Sequence, residues 1–289
     1  MNINKDYIVG SKFRNICDHW VAKRHCEHQY AWKKNDAPLP DKKVMSLYCE
    51  GPHTSKDLDV LLDFISIHPD RQFILVTHNS DSMITKVELP SNIKKWFALN
   101  VEFDHDNIIP IPIGLENHTH VPYKQQLIDF VNGGCACKFC DYNKDNPRKP
   151  IPLAAFYITH WEREDLNKLI SDKKIDAYVS NTPRYDEYLH QLAAFDFCLC
   201  PRGNGVDTHR IWEALYMGCI PIVKNHHTHS TIKDLPIMFI DHWEEVNQYM
   251  LHHIKQKFKQ TQFNFEKLNF QFWKDWINTE KELLEAQND

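Results

Sequence analysis

The chain has 289 residues, 42% of them apolar and 25% charged, which suits a globular protein of one large or two ordinary domains. A formal net charge of −5 argues against a sequence-independent grip on nucleic-acid phosphate, and no apolar run approaches the roughly 18 residues of a membrane span. Nine cysteines, several inside apolar runs (Cys49, Cys198, Cys200), read as reduced core thiols; together with a polar first segment unlike a signal peptide they predict a soluble, cytoplasmic protein of microbial or viral origin.

In chain order, a helix is predicted near residues 13–23, followed by a Pro-containing link at 37–40. A strand at 43–49, an amphipathic helix at 55–67 and a buried strand at 72–77 make a βαβ unit. That strand ends in His78-Asn79-Ser80-Asp81, and ligands of open α/β sheets gather at the carboxyl ends of strands. Asp81 and His78 are therefore candidates for acid–base work, while Asn79 also suits an Asx turn. Edges at 96–100 and 108–114 end in polar residues too, first Asn100, then Glu116 and Asn117. Between them Asp104-His105-Asp106 has the carboxylate spacing of a metal–diphosphate site, a triplet that chance supplies readily among 39 acidic residues.

A helix at 123–131 is closed by Gly133-Gly134. Cys135, Cys137 and Cys140 follow in a stretch of linker composition; with a fourth ligand such as Cys17, His19, Cys26 or His28 they have the count for a structural zinc, and otherwise they are accessible linker thiols. The first domain spans 1–150 and the second 151–289. In the second, strands are predicted at 153–159 and 175–179, a helix at 162–173 between them, and another helix from Thr182-Pro183 to residue 194. A late strand at 233–240 and a helix at 270–286, with Phe272, Trp273, Trp276 and Ile277 on its apolar face, complete the chain. That last helix has the length to cross back to the first domain.

The most informative stretch is 195–223. An apolar run at 195–200 is stopped by Pro201, Gly203 and Gly205 allow a tight loop, a helix begins at Thr208, and Gly218 closes it before a second buried strand. A helix that starts after such a turn offers free N–H groups and the positive end of its dipole, with Arg202 and Arg210 beside it. This predicts an anion site for a diphosphate. The Walker pattern is absent, and a third glycine is missing from the dinucleotide fingerprint. Glu213, one turn into the helix, suits a ribose diol, and Asp207 is expected to cap the helix. Thr159 and Arg163 follow the first strand of this domain and have the reach for phosphate.

Cys200-Pro-Arg-Gly-Asn-Gly-Val-Asp-Thr-His-Arg-Ile-Trp-Glu-Ala-Leu-Tyr-Met-Gly-Cys-Ile-Pro-Ile-Val223 resembles the exostosin-like glycosyltransferases, with shorter echoes in Thr77 to Asp81, Trp96 to Asn100 and Pro112 to Asn117. The resemblance implies an α/β chain of GT-B type: two Rossmann-like domains facing a cleft, the nucleotide sugar on the second, and inversion at the sugar carbon. The expected donor set is Thr159, Arg163, Arg202, Gly203, Asn204, Gly205, Asp207, Thr208, His209, Arg210 and Glu213. The expected base comes from the first domain, with Asp81 ahead of His78 and Glu116, and Asn79, Asn100 and Asn117 lie on the acceptor side. No cofactor or metal is called for; the partners are a UDP-sugar and a glycan or glycoprotein acceptor. Two other readings stay open, a nucleotide-sugar epimerase of the same architecture and an inactive carbohydrate-binding protein.

Overall fold

A computed structural model describes residues 6–26, 29–34, 39–51, 55–116, 127–128, 131, 147–181 and 184–288. The first sheet contains β1 (His19–Cys26), β2 (Gln29–Lys34), β3 (Val44–Glu50), β4 (Gln72–His78), β5 (Ile93–Ala98) and β6 (Ile108–Pro110), in the order β2-β1-β3-β4-β5-β6. Only β2 runs antiparallel to its neighbour; β3 and β4 pair in parallel from Val44 opposite Gln72 to Glu50 opposite His78. Alternate strand residues point to opposite faces. Met45, Leu47, Phe73 and Leu75 therefore meet Leu58, Leu61 and Ile65 of α2 (Ser55–Ser66). On the other face, Tyr48, Val76 and Phe97 meet Phe13 of α1 (Gly10–Asn15) and Trp273 and Ile277 of α7 (Phe270–Ala286), two residues one helical turn apart.

The second sheet contains β7 (Lys149–Ala154), β8 (Tyr178–Val179), β9 (Phe195–Leu199), β10 (Ile220–Lys224) and β11 (Met238–Ile240), all parallel, in the order β11-β10-β9-β7-β8. The chain first steps from β7 to β8, then returns to β9 on the other side, so the winding reverses between β7 and β9. Ligands of such sheets sit at that reversal, beyond the carboxyl ends of the strands. Leu199 and Ile222 face Leu166 of α3 (Trp161–Ser171) and Leu251 of α6 (Gln248–Gln260). The opposite face carries Leu189 and Leu192 of α4 (Tyr185–Ala194) and Ile211 and Leu215 of α5 (His209–Tyr216). Both sheets are thus Rossmann-like α/β layers with helices on each side. At the end of α5, Gly218 takes φ +67°; its amide bonds Leu215 O and the Cys219 amide bonds Ala214 O at 2.8 Å, the paired bonds of a Schellman stop.

The two sheets share one core. The apolar cluster that holds Ile8, Phe13, Val76 and Phe97 runs without a break into Leu153, Ile211, Leu215 and Val223. Polar groups cross the same boundary: the Tyr216 hydroxyl accepts from the Ile8 amide at 3.1 Å and donates to Leu268 O at 2.8 Å, and Thr228 Oγ1 and Thr231 Oγ1 donate to Val101 O and Pro110 O, both at 2.9 Å.

Several element expectations change. The helix placed near residues 13–23 ends at Asn15, because His19–Val21 pair with Leu47–Cys49 as part of β1. The strand placed at 153–159 stops at Ala154, and the chain then leaves the sheet with Tyr157 and Ile158 exposed. Of the late strand placed at 233–240 only β11 forms; residues 233–237 are turns that follow a 3-10 helix at His227–Ile232. Helix α6 was not read from the sequence; its N-terminus is capped by Asn247, whose Oδ1 accepts the Met250 amide at 3.0 Å. The helix start at Thr182-Pro183, most of the helix at 123–131, and Cys135, Cys137 and Cys140 lie outside the described residues.

Candidate functional site

A cavity of about 540 Å³ opens beyond the carboxyl ends of β7 and β8, beside the winding reversal. Its size is that of a small-molecule site. One wall is the start of α5. Thr208 is the N-cap residue, its side chain caps nothing, and its buried Oγ1 has no hydrogen-bond partner among the described residues. The first N–H groups of α5 therefore meet the cavity without a side-chain cap, where they and the helix dipole favour an anion.

Two guanidinium groups stand at the same wall. Arg210 Nε donates to Ala155 O at 2.8 Å, and no described residue takes its terminal amino groups. Arg163 is 8% exposed: Nε donates to Arg202 O, and Nη1 donates to Tyr157 O and Thr159 Oγ1, at 2.8–2.9 Å. Burial, with Arg210 beside it, lowers its pKa to about 10, so both cations persist at neutral pH and repel each other. An anion between them would relieve that repulsion. Gly203 lacks a side chain for a local reason, since a Cβ there would stand 3.0 Å from Arg163 Nη2.

The opposite charge sits at another part of the lining. Glu213 accepts from the Tyr185 hydroxyl at 2.9 Å on Oε1 and from the Tyr188 hydroxyl at 3.1 Å on Oε2. Burial, then the Glu213 charge, pushes both phenols above their ordinary range, so they remain protonated donors. Neither tyrosine was singled out from the sequence. Their spacing of three on a helix was visible, but the carboxylate they serve lies 25 and 28 positions away. Phe156, Ser180, Asn181 and Arg184 also line the cavity and were likewise missed.

Several expected donor residues turn elsewhere. Arg202 does not line this cavity; it faces a smaller one with Lys224, His226 and Glu162, and its Nη2 donates to Asn204 O at 2.8 Å. A residue just past a strand end can leave on either side of its loop, and sequence does not say which. Asp207 is 4% exposed and does not act as the helix cap. Its Oδ2 accepts the Ile113 amide of the first sheet's last loop at 2.7 Å, and both oxygens lie 3.0–3.1 Å from Trp212 Nε1. Burial pushes its pKa up to about 6 against those bonds. The exposed Asn204 reaches Asp81 through Nδ2 at 3.4 Å, and His209 Nδ1 lies 2.7 Å from Gly114 O, with the ring also lining the cavity.

Residues expected at the first sheet's edge are largely consumed by structure. His78 is 1% exposed, stacked on Phe13, with Nε2 2.9 Å from Pro112 O; burial holds its pKa down at about 4, so it is neutral and shielded from any acceptor. Asn100, at φ +52° and 1% exposed, is likewise removed from the acceptor side. Its Oδ1 accepts the Val206 and Asp207 amides at 3.0 and 3.1 Å, and its Nδ2 donates to Ser80 O. A Cβ on Gly205 would stand 2.8 Å from that Nδ2, which is why glycine occupies the position. Asn79, at φ +60°, donates to the Tyr48 hydroxyl at 3.2 Å. Asp81 is exposed; Glu116 is half-buried and lies two residues past Gly114, whose carbonyl meets the cavity-lining His209. Asn117 lies outside the described residues. Asp104 and Asp106 precede β6, at the end of the sheet opposite the carboxyl edge.

Residues 157–284 match the family model described as RXYLT1 C-terminal domain. The probable glycosyltransferase At5g03795 of Arabidopsis thaliana is 35% identical over 74 residues, 26% of this chain and 13% of that protein. Two more A. thaliana proteins named probable glycosyltransferases, At3g07620 and At5g25310, are 30% and 31% identical over 66 and 72 residues. The matched stretch is thus a small part of these relatives, 12–13% of their length. The relatives are plant proteins, which overturns the expectation of a cytoplasmic enzyme of microbial or viral origin. The polar first segment on which it rested does not report a compartment. No described helix is long and apolar enough to cross a membrane. Residues 157–284, which include the whole wall from Arg163 to Glu213, are thus similar to the exostosin-like glycosyltransferases.

Proposed function

We propose that the chain transfers a sugar from a nucleoside diphosphate sugar, a UDP-sugar, to a hydroxyl of a glycan or glycoprotein, with inversion and without a metal. The observation that carries this reading is the polarity of one cavity: the uncapped start of α5 with Arg163 and Arg210 at one part, and Glu213 with two acceptor sites still open at another. A nucleoside diphosphate has the matching pattern, anionic at the diphosphate and hydroxyl-donating at the ribose. Two guanidinium groups and a helix terminus already offset the charge of the leaving diphosphate, the part a divalent ion plays elsewhere. In this reading the layers at 1–150 and 151–289 act as the acceptor-side and donor-side domains of a GT-B enzyme.

Of the three base candidates, Glu116 has the best support. His78 is enclosed, and Asp81 lies at the Asn204 loop tip, whereas Glu116 follows Gly114, whose carbonyl meets the cavity-lining His209. A carboxylate there would take the proton of the attacking hydroxyl as the sugar carbon inverts. Calorimetry on the full chain tests the donor site. UDP is expected to bind with Arg210→Ala weakening it roughly ten- to a hundred-fold, and uridine much less, because only the phosphates lose a charge-assisted partner. Equal weakening of UDP and uridine would remove Arg210 from the phosphate site.

A further inference from the structure

Glu213 is held at both ends. Each carboxylate oxygen accepts one tyrosine hydroxyl, Tyr185 on Oε1 at 2.9 Å and Tyr188 on Oε2 at 3.1 Å, and all three side chains line the same cavity. The terminal torsion of a glutamate is soft and roughly two-fold, so an unsupported carboxylate samples many planes. Two donors from the same side of α4 fix that plane. A carboxylate has about four acceptor sites, and among the described residues two remain after the tyrosines, one on each oxygen. Arg210, one turn earlier on α5, lines the same cavity and brings a positive charge near the carboxylate.

Resting on the nucleotide-sugar reading above, we propose that Tyr185 and Tyr188 are positioning residues that set Glu213 to accept both hydroxyls of a ribose 2′,3′-diol, making the site selective for ribonucleotides over 2′-deoxyribonucleotides. The two open sites face one ligand with one site per oxygen, and a vicinal cis-diol presents two O–H donors at matching separation. A 2′-deoxy sugar leaves one oxygen of a desolvated carboxylate without its partner, the situation that makes a hydrogen-bonding site reject an analogue lacking a hydroxyl. If either tyrosine lost its hydroxyl, the carboxylate would turn and the two hydroxyls would no longer be bridged together. A ligand with a single hydroxyl would lose less.

The measurement is the ratio of affinities for UDP and dUDP, with GDP and dGDP as a second pair, on the 289-residue chain and on Tyr185→Phe, Tyr188→Phe and the double variant. The wild type is expected to prefer the ribonucleotide roughly ten- to a hundred-fold, the range of one hydrogen bond to a charged group. Each single variant is expected to shrink that ratio several-fold and the double variant to bring it near unity, chiefly through weaker ribonucleotide binding. Both substitutions keep the ring, and Tyr185 is the less enclosed of the two, so at least one variant reports on a folded protein, which its melting temperature verifies. A ratio that stays at the wild-type value in folded variants would overturn the proposal, as would a wild type that binds UDP and dUDP equally. If neither ribonucleotide bound the wild type at millimolar concentration, the nucleotide-sugar reading itself would fall, a distinct outcome.

Discussion

The carboxyl edges of the two sheets carry similar polar residues and use them in opposite ways. On the first sheet, the side chains of His78 and Asn100 bond backbone atoms of neighbouring loops, and the Asn79 amide reaches the Tyr48 hydroxyl. On the second, among the described residues, Arg210 keeps its terminal amino groups and Glu213 keeps half its acceptor sites, facing a cavity. A polar group at a strand end is therefore no mark of a binding site by itself; the mark is hydrogen-bonding capacity left over after the fold has taken its share. Glu116 stands apart from its neighbours on the first edge because the loop that carries it meets the second edge at His209.

The sharpest way to break this comparison is to exchange the roles of two first-edge carboxylates. Glu116→Gln is expected to lower turnover roughly 10² to 10⁴-fold, the range for loss of a positioned base, and Asp81→Asn to leave it within a few-fold. UDP release from the donor sugar selected by a binding screen reports both, and the reverse result would return the base to the Asn204 loop tip. Next in size is Asn100→Ala. It leaves the Val206 and Asp207 amides without their acceptor, at about 2–4 kcal/mol of stability, while the UDP dissociation constant stays within a few-fold. Chemical denaturation and calorimetry on the same sample separate the two effects, and a large loss of affinity with unchanged stability would make Asn100 a ligand contact after all.

The smallest expected effect is a dependence on acid. The folded pKa of His78 is depressed from 6.5 to about 4, so the unfolded chain binds the extra proton between those values and stability falls as pH drops through them. By pH 5 the loss is about 2 kcal/mol, and His78→Gln should remove it from the pH profile. Asp207 works in the other direction. Its folded pKa is raised from 3.8 to about 6, so its burial costs stability as pH rises through that window. Urea midpoints at pH 7, 6 and 5 for the wild type, His78→Gln and Asp207→Asn would show the two slopes with opposite signs.

The sequence made the elements around 43–77 and 195–223 readable because apolar runs there are short, bounded by turn residues and spaced as strands or helices. It misled at 13–23, where Trp20 and Val21 continue an apolar pattern but pair with β3, and at 153–159, where the strand gives way to a loop that turns Tyr157 outward. In the cavity, Arg210 and Glu213 were legible because they sit one turn apart at a recognisable helix start. Arg202 shares that stretch, yet its direction depends on how the loop folds against Met83 and Asn204. Tyr185 and Tyr188 answer to a residue on another helix, and such a partnership exists only after the chain has folded.

The position of α7 bears on how the protein is made. Its residues 270–286 are synthesised long after the first sheet, yet Trp273 and Ile277 cover the face of that sheet that holds Tyr48, Val76 and Phe97, and the Tyr216 hydroxyl joins the Ile8 amide across 208 positions. While the chain is still leaving the ribosome, that sheet has one apolar face without its cover. Closing it requires contacts of large sequence separation, which form slowly and expose a chain to association in the interval. The early half is therefore the part most dependent on folding assistance, and a stop codon before Phe270 would harm the first sheet more than the second, although every residue of the first sheet is still present.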